Sequence, residues 1–162
     1  MPTQRTQPTR RSILLAAAVL ARRCAQAAGI TDVAIVVRQD TPVEGMTFAE
    51  LRKLALGDRQ FWSSSLRVTL LVRAPGARER DVVLKTIYQM TEAQFKQYWI
   101  AKVFRAEAAA GPRVVYSNEM AGELTAAIPG AVAFVDADQV PKGLKILRIN
   151  GKMPGDKDYP LR

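Results

Sequence analysis

Apolar residues fall along this chain in two kinds of run. Short continuous runs occur at 32–38 (DVAIVVR), 66–72, 113–116 (RVVY), 131–135 (AVAFV) and 144–149 (LKILRI), and they are rich in β-branched residues. Such runs read as strands buried on both faces. Between them, apolar positions recur at helical spacing. Phe48, Leu51, Leu54 and Ala55 share one face after Thr47, with Glu50 completing a capping box and Gly57 as the stop. Val83, Ile87 and Met90 line a helix expected over 77–90. Thr91 with Gln94 starts another, whose stripe of Phe95, Trp99 and Val103 suits a core. Ser117 or Asn118 caps a helix carrying Met120, Leu124 and Ile128, and Pro129-Gly130 ends it. Phe61 and Trp62 suit a plug beneath a loop, and the run Arg78 to Asp81 suits a solvated helix face.

Alternation of strand and helix predicts a single three-layer α/β domain, with a mostly parallel, roughly five-stranded sheet flanked by helices. Ligands bind such sheets outside the carboxyl ends of the strands. Two loops lie there, 73–79 and 116–119.

Charge changes this picture at one end only. The 162 residues carry 24 basic and 15 acidic side chains, a formal net charge of +9. Arg5, Arg10, Arg11, Arg22 and Arg23 precede residue 28 without an acid among them. The remainder is 19 against 15, too mixed for a nucleic-acid partner. That basic segment contains the apolar run from Ile13 to Ala21 and the small-x-small site Ala25-Gln26-Ala27, so residues 1–27 read as an export signal. Thr9-Arg10-Arg11-Ser12 fits the twin-arginine type. The domain then spans 28–151, followed by a polar tail at 152–162, expected to be loose. The expected location is periplasmic or otherwise exported, without a membrane span once the signal is removed. There is no histidine, and Cys24 is the single cysteine. The usual general base and the common nucleophile pairs are therefore missing, which argues for binding and against catalysis, with no cofactor implied. Asp136 and Asp138 are too few to suggest a metal site.

The stretch LRVTLLVRAPGARERDVVLK ends a strand on Arg73, turns at Pro75-Gly76 and opens a helix near Ala77. Strand end, tight glycine turn and helix start form a frame for an anion. Together with MTFAELRKLALGDRQFW, FKQYWIAKVF and IPGAVAFV, this stretch resembles the phosphate-binding proteins of Pst-type ABC transporters. The resemblance implies one lobe of the type II periplasmic-binding-protein fold, with phosphate or a similar oxyanion as ligand and an ABC transporter or other envelope protein as partner. The family's anion loop reads Arg-x-Asp-Gly-Ser-Gly-Thr. Arg73 and Gly76 match it, Pro75 replaces the aspartate, and Ala77, Arg78 and Glu79 replace the hydroxyl-bearing end. The expected site is Arg73, Gly76, Ala77, Arg78, Ser117 and Asn118. Two readings follow: a residual anion site, or a turn in which Glu79 satisfies the helix end. A lone lobe also exposes the surface that faces the second lobe in the family, which suits a homo-oligomer or a scaffold role.

Overall fold

The computed structural model describes residues 31–162. The expected export signal, with its twin-arginine pattern, and Cys24 lie outside the described residues.

Five strands form the central sheet: β1 (Val33–Arg38), β3 (Thr69–Arg73), β4 (Arg113–Val115), β5 (Ala131–Asp136) and β6 (Leu144–Ile146), in the order β4-β3-β5-β1-β6. β3 pairs in parallel with β4 and β5, while β1 runs antiparallel to β5 and β6. Four strands thus point one way and only β1 opposes them, so the sheet is mostly parallel. The run LKILRI is split: after β6 the chain crosses to β7 (Arg148–Ile149), which pairs in parallel with β2 (Gly45–Met46) as a separate ribbon.

The pleat sorts each continuous apolar run onto two faces. Val33, Ile35 and Val37 of β1 join Val72 and Phe134 beneath α1 (Phe48–Ala55), α2 (Arg78–Val83) and α3 (Glu92–Phe104). Ala34, Val36, Leu71, Ala133 and Val135 face α4 (Asn118–Ala127) through Ala121. Alanines on both sides of that second layer let α4 lie close to the sheet. The result is the expected three-layer α/β domain.

Local signals in the sequence are realised. Both capping boxes form, with the Thr47 and Thr91 hydroxyls accepting from the Glu50 and Gln94 backbone N–H groups and each side chain answering in return. Ser117 is the cap of α4, accepting from the Met120 N–H at 3.0 Å. Gly57 ends α1 at φ +74°, and a Cβ there would lie 2.8 Å from Trp99 Cη2, so both conformation and space require glycine. The last carbonyls of α1, on Ala55 and Leu56, accept from the Tyr88 and Tyr98 hydroxyls.

Five expectations are corrected. The helix expected over 77–90 is α-helical only to Val83, continues as a π turn over Leu84–Tyr88 and closes on Gln89 at φ 55°. The wider turn accompanies burial of Leu84, Ile87 and Tyr88 on one side. The aromatic stripe on α3 leaves the core after Trp99, because α3 outruns the sheet; Val103 is exposed and Phe104 is 90% exposed. Of the pair at 61–62, only Trp62 is a plug, donating its indole N–H to the Gly130 carbonyl at 2.9 Å, while Phe61 lies outside. Finally, the tail is docked. Tyr159 and Leu161 are buried, the Tyr159 hydroxyl donates to the Val33 carbonyl, and the Val33 N–H donates to the Leu161 carbonyl. Arg162 pairs with the buried Asp32 at 3.2 Å, so the tail fastens the start of β1.

Nor is the run Arg78 to Asp81 a solvated face: Glu79 and Arg80 are buried and only Asp81 is exposed. Arg80 donates from Nε and Nη2 to the two Glu92 oxygens, both at 2.8 Å, and from Nη1 to the Arg73 carbonyl at 2.9 Å. Its guanidinium lies over the Phe95 ring at 4.7 Å. That hydrogen bond holds the Glu92 carboxyl below the usual carboxylate range, with burial opposing it. The pair's contribution is therefore present above the unfolded carboxylate range and lost as pH falls through the lowered folded value. Glu92→Gln leaves a buried guanidinium uncompensated and should cost about 3 kcal/mol in urea denaturation near neutral pH. The Arg80→Met/Glu92→Gln double variant should recover part of that loss. A cost below about 0.5 kcal/mol would reduce the pair to an ordinary surface contact.

Candidate functional site

The six residues expected at the site lie beyond the carboxyl ends of β3 and β4, Arg73 to Arg78 in the turn after β3 and Ser117 and Asn118 at the start of α4. Arg73 is the last residue of β3, and its side chain is turned inward, 12% exposed. The following turn is closed by the Ala77 N–H donating to the Ala74 carbonyl at 3.2 Å, with Gly76 at φ +88°. The left-handed conformation is what requires glycine there, since no atom lies within 4 Å of the place a Cβ would occupy. Ala77 precedes the first turn of α2 and offers no side-chain cap. Its own N–H is engaged by the turn.

Side chains from three elements meet beyond this turn. Arg73 Nε lies 3.5 Å from Glu79 Oε1, close enough for charge attraction but without the alignment of a hydrogen bond. Arg78 donates from Nη1 to Asp136 Oδ1, at the end of β5, at 3.3 Å. Glu79 is near enough to Asp136 to repel it, so the four charges form one chain, Arg73–Glu79–Asp136–Arg78. On the α4 side, Asn118 is buried and donates from Nδ2 to Gln139 Oε1 at 2.7 Å. Glu119 faces Arg73 electrostatically. Its own backbone N–H and the Ser117 side chain hold its carboxyl below the usual range, and Arg73 adds to that.

Several polar atoms are left over. Arg73 Nε and Nη1, Arg78 Nη2 and Asn118 Oδ1 are buried without a hydrogen-bond partner. The space behind Arg73, bounded by Glu79, Arg80 and Phe134, is about 10 Å³, the size of one water and too small for an oxyanion. Any larger anion must therefore approach from the open side of the loop, where the exposed Glu119 adds negative charge. No cluster of three or more acidic, histidine or cysteine side chains that could hold a metal exists among the described residues. Asp136, the first carboxylate of the Asp-x-Asp pair, is committed to Arg78.

The sequence signals located the loop, Arg73 and Ser117. They missed Asp136 and Glu119 as the acids that surround them. Asp136 arrives from β5, fifty-eight residues beyond Arg78, and no local pattern pairs the two.

The layers and strand order match one lobe of the type II periplasmic-binding-protein fold. An ABC-type phosphate transport receptor from Vibrio cholerae superposes with a TM-score of 0.61 over 76% of this chain and 48% of its own, at 21% identity. A phosphate ABC transporter substrate-binding protein from Clostridium perfringens, solved with bound phosphate, gives 0.61 over 76% and 46%, at 12% identity. PstS from Borrelia burgdorferi gives 0.59 over 76% and 49%, at 17% identity. The chain thus spans about half the length of the structures it matches. No protein-family model and no curated protein sequence matches it.

Burial pushes the Asp136 carboxyl above its usual range, Glu79 adds repulsion, and Arg78 opposes both without prevailing. A raised folded value means the charged carboxylate costs stability once pH exceeds it, while the cost is absent at low pH. Asp136→Asn should therefore raise Tm at about pH 7, with the gain shrinking towards about pH 3. A lower Tm at neutral pH would mean that the ion pair with Arg78 dominates.

Proposed function

We propose that this protein is an exported, non-catalytic, single-lobe relative of the phosphate ABC transporter substrate-binding proteins. Its ligand is phosphate or a similar oxyanion, held weakly by a loop that its own carboxylates partly occupy. One observation carries the reading: at the carboxyl ends of the parallel strands, Arg73 and Arg78 keep three buried guanidinium nitrogens without hydrogen-bond partners. A guanidinium fork suits a tetrahedral oxyanion, and an anion on the open side of the loop engages these nitrogens once the two side chains turn outward to meet it. Gly76 and Ala77 form the turn under the ligand, and Ser117 and Asn118 line its far side. The structures sharing the fold are described as receptors and substrate-binding proteins, which accords with binding and not catalysis.

The affinity is low because Glu79 and Glu119 offset Arg73, and because charges approached from the solvent side are screened. Export rests on the pattern of residues 1–27. Among the described residues no helix is long and apolar enough to cross a membrane. An ABC transporter or other envelope protein is the partner this reading implies.

Calorimetry with inorganic phosphate should give weak, saturable binding at low salt. Arg73→Ala should weaken it about tenfold, the scale of a lost charge-assisted hydrogen bond. Glu79→Gln should tighten it by freeing Arg73. Absence of heat from both the unaltered protein and Glu79→Gln at millimolar phosphate would defeat the reading.

A scaffold role that keeps the fold without the ligand has its own support: Ile100, Val103 and Phe104 form an exposed apolar stripe along α3. On that reading, light scattering should show a concentration-dependent mass that Phe104→Glu abolishes. A concentration-independent monomer would remove its support.

A further inference from the structure

A second pocket lies at the opposite end of β3, about 13 Å from Arg73 at the usual rise per residue. Its walls come from the start of β3 at Thr69, the start of β4 at Arg113, the end of α1 at Leu54 and Gly57, and the segment Ala108 to Pro112. The volume is about 270 Å³, room for about ten non-hydrogen atoms at roughly 30 Å³ per water-sized group. Leu54, Leu70, Trp99 and Pro112 provide an apolar lining, and Trp99 and Leu70 are core residues.

The polar side of this pocket has one sign. Arg59, Arg67 and Arg113 line it, and no aspartate or glutamate side chain does. Among the described residues none of the three makes an ion pair, as is also true of Arg52 and Arg148, and only Arg59 has a carboxylate, Glu50, within electrostatic reach, whereas Arg73, Arg78, Arg80, Arg105 and Arg162 are paired. Arg59 and Arg67 are nonetheless positioned. Arg59 lies over the Trp62 ring at 5.6 Å and donates to the Phe61 carbonyl, while Arg67 lies over the Phe61 ring at 5.8 Å and donates to Gln60 Oε1. Gln60 is in turn fixed by donating to the Glu107 carbonyl at 2.6 Å. The nearby acids are spent elsewhere: Asp58 on Lys102 and Glu107 on Arg105.

We infer that this pocket binds a small organic carboxylate, its apolar body against Trp99, Leu70 and Pro112 and its carboxylate among Arg67, Arg113 and Arg59. An apolar lining with a few convergent polar groups is how small-ligand sites are built. Inorganic phosphate lacks the body that the lining requires, so the pocket and the strand-end site take different ligands. The inference stands independently of the oxyanion reading.

The probe is 3-phenylpropionate, titrated into the full-length protein while tryptophan fluorescence reports on Trp99. A saturable change is expected with a dissociation constant on the order of 1 mM, as ligand efficiency allows for a molecule of about ten non-hydrogen atoms. The neutral 3-phenylpropanol and inorganic phosphate should each bind at least about tenfold more weakly, one lacking the charge and the other the body. Arg113→Gln, an exposed position that does not threaten folding, should weaken binding about tenfold, and Ala110→Phe should block it by filling the space. No saturable change at about ten times the expected constant overturns the proposal. So does equal binding of the alcohol, or an Arg113→Gln variant that binds as well as the unaltered protein.

Discussion

The buried Arg80 guanidinium is the joint on which this lobe depends. It ties the last carbonyl of β3 to the first turn of α3 through Glu92, and it packs on Phe95 in the core between them. A charge taken out of water is costly unless it is paired and hydrogen-bonded, and each of the three Arg80 nitrogens has a partner. Because Arg80 lies on α2, the bond to the Arg73 carbonyl also fixes how the turn between β3 and α2 closes. The candidate site is therefore held on a rigid frame, even though its residues belong to a loop.

That frame holds charges that largely satisfy one another. Arg73 has Glu79 beside it and Glu119 across from it, and Arg78 has Asp136. Such an arrangement stabilises the fold, since buried guanidinium groups without counter-charges would be costly. It also sets the site's chemistry: an external oxyanion must compete with carboxylates already present. The misalignment of Arg73 and Glu79 leaves that competition open, because unmade hydrogen bonds remain for a better-placed acceptor.

The two ends of the parallel strands differ in how their charge is handled. At the carboxyl ends, arginines and acids interlock and the enclosed space is about 10 Å³. At the amino ends, arginines stand around a cleft of about 270 Å³ without acids. Trp62 and Trp99 both serve the second end, Trp62 beneath Arg59 and Trp99 as a wall, so core packing and pocket share the same side chains.

Local chemistry made much of the fold legible in the sequence. The capping boxes at Thr47 and Thr91, the cap at Ser117, the stop at Gly57 and the five apolar runs each depend on residues within a few positions of one another. The order of β-strand and helix then implied layers, and the loop after Arg73 implied the place of the site. Tertiary structure decided what depends on distant partners. β1 runs against the other strands because its pairing with β5 joins residues about a hundred positions apart. Glu79 and Arg80 look like surface charges until β3, α3 and β5 surround them. The polar-looking tail is ordered because Tyr159 and Leu161 find Val33. The sequence by itself determined most of the elements and their order. Only the packing decided which charges are spent on the fold and which remain for a ligand, because burial and counter-charge belong to neighbours in space.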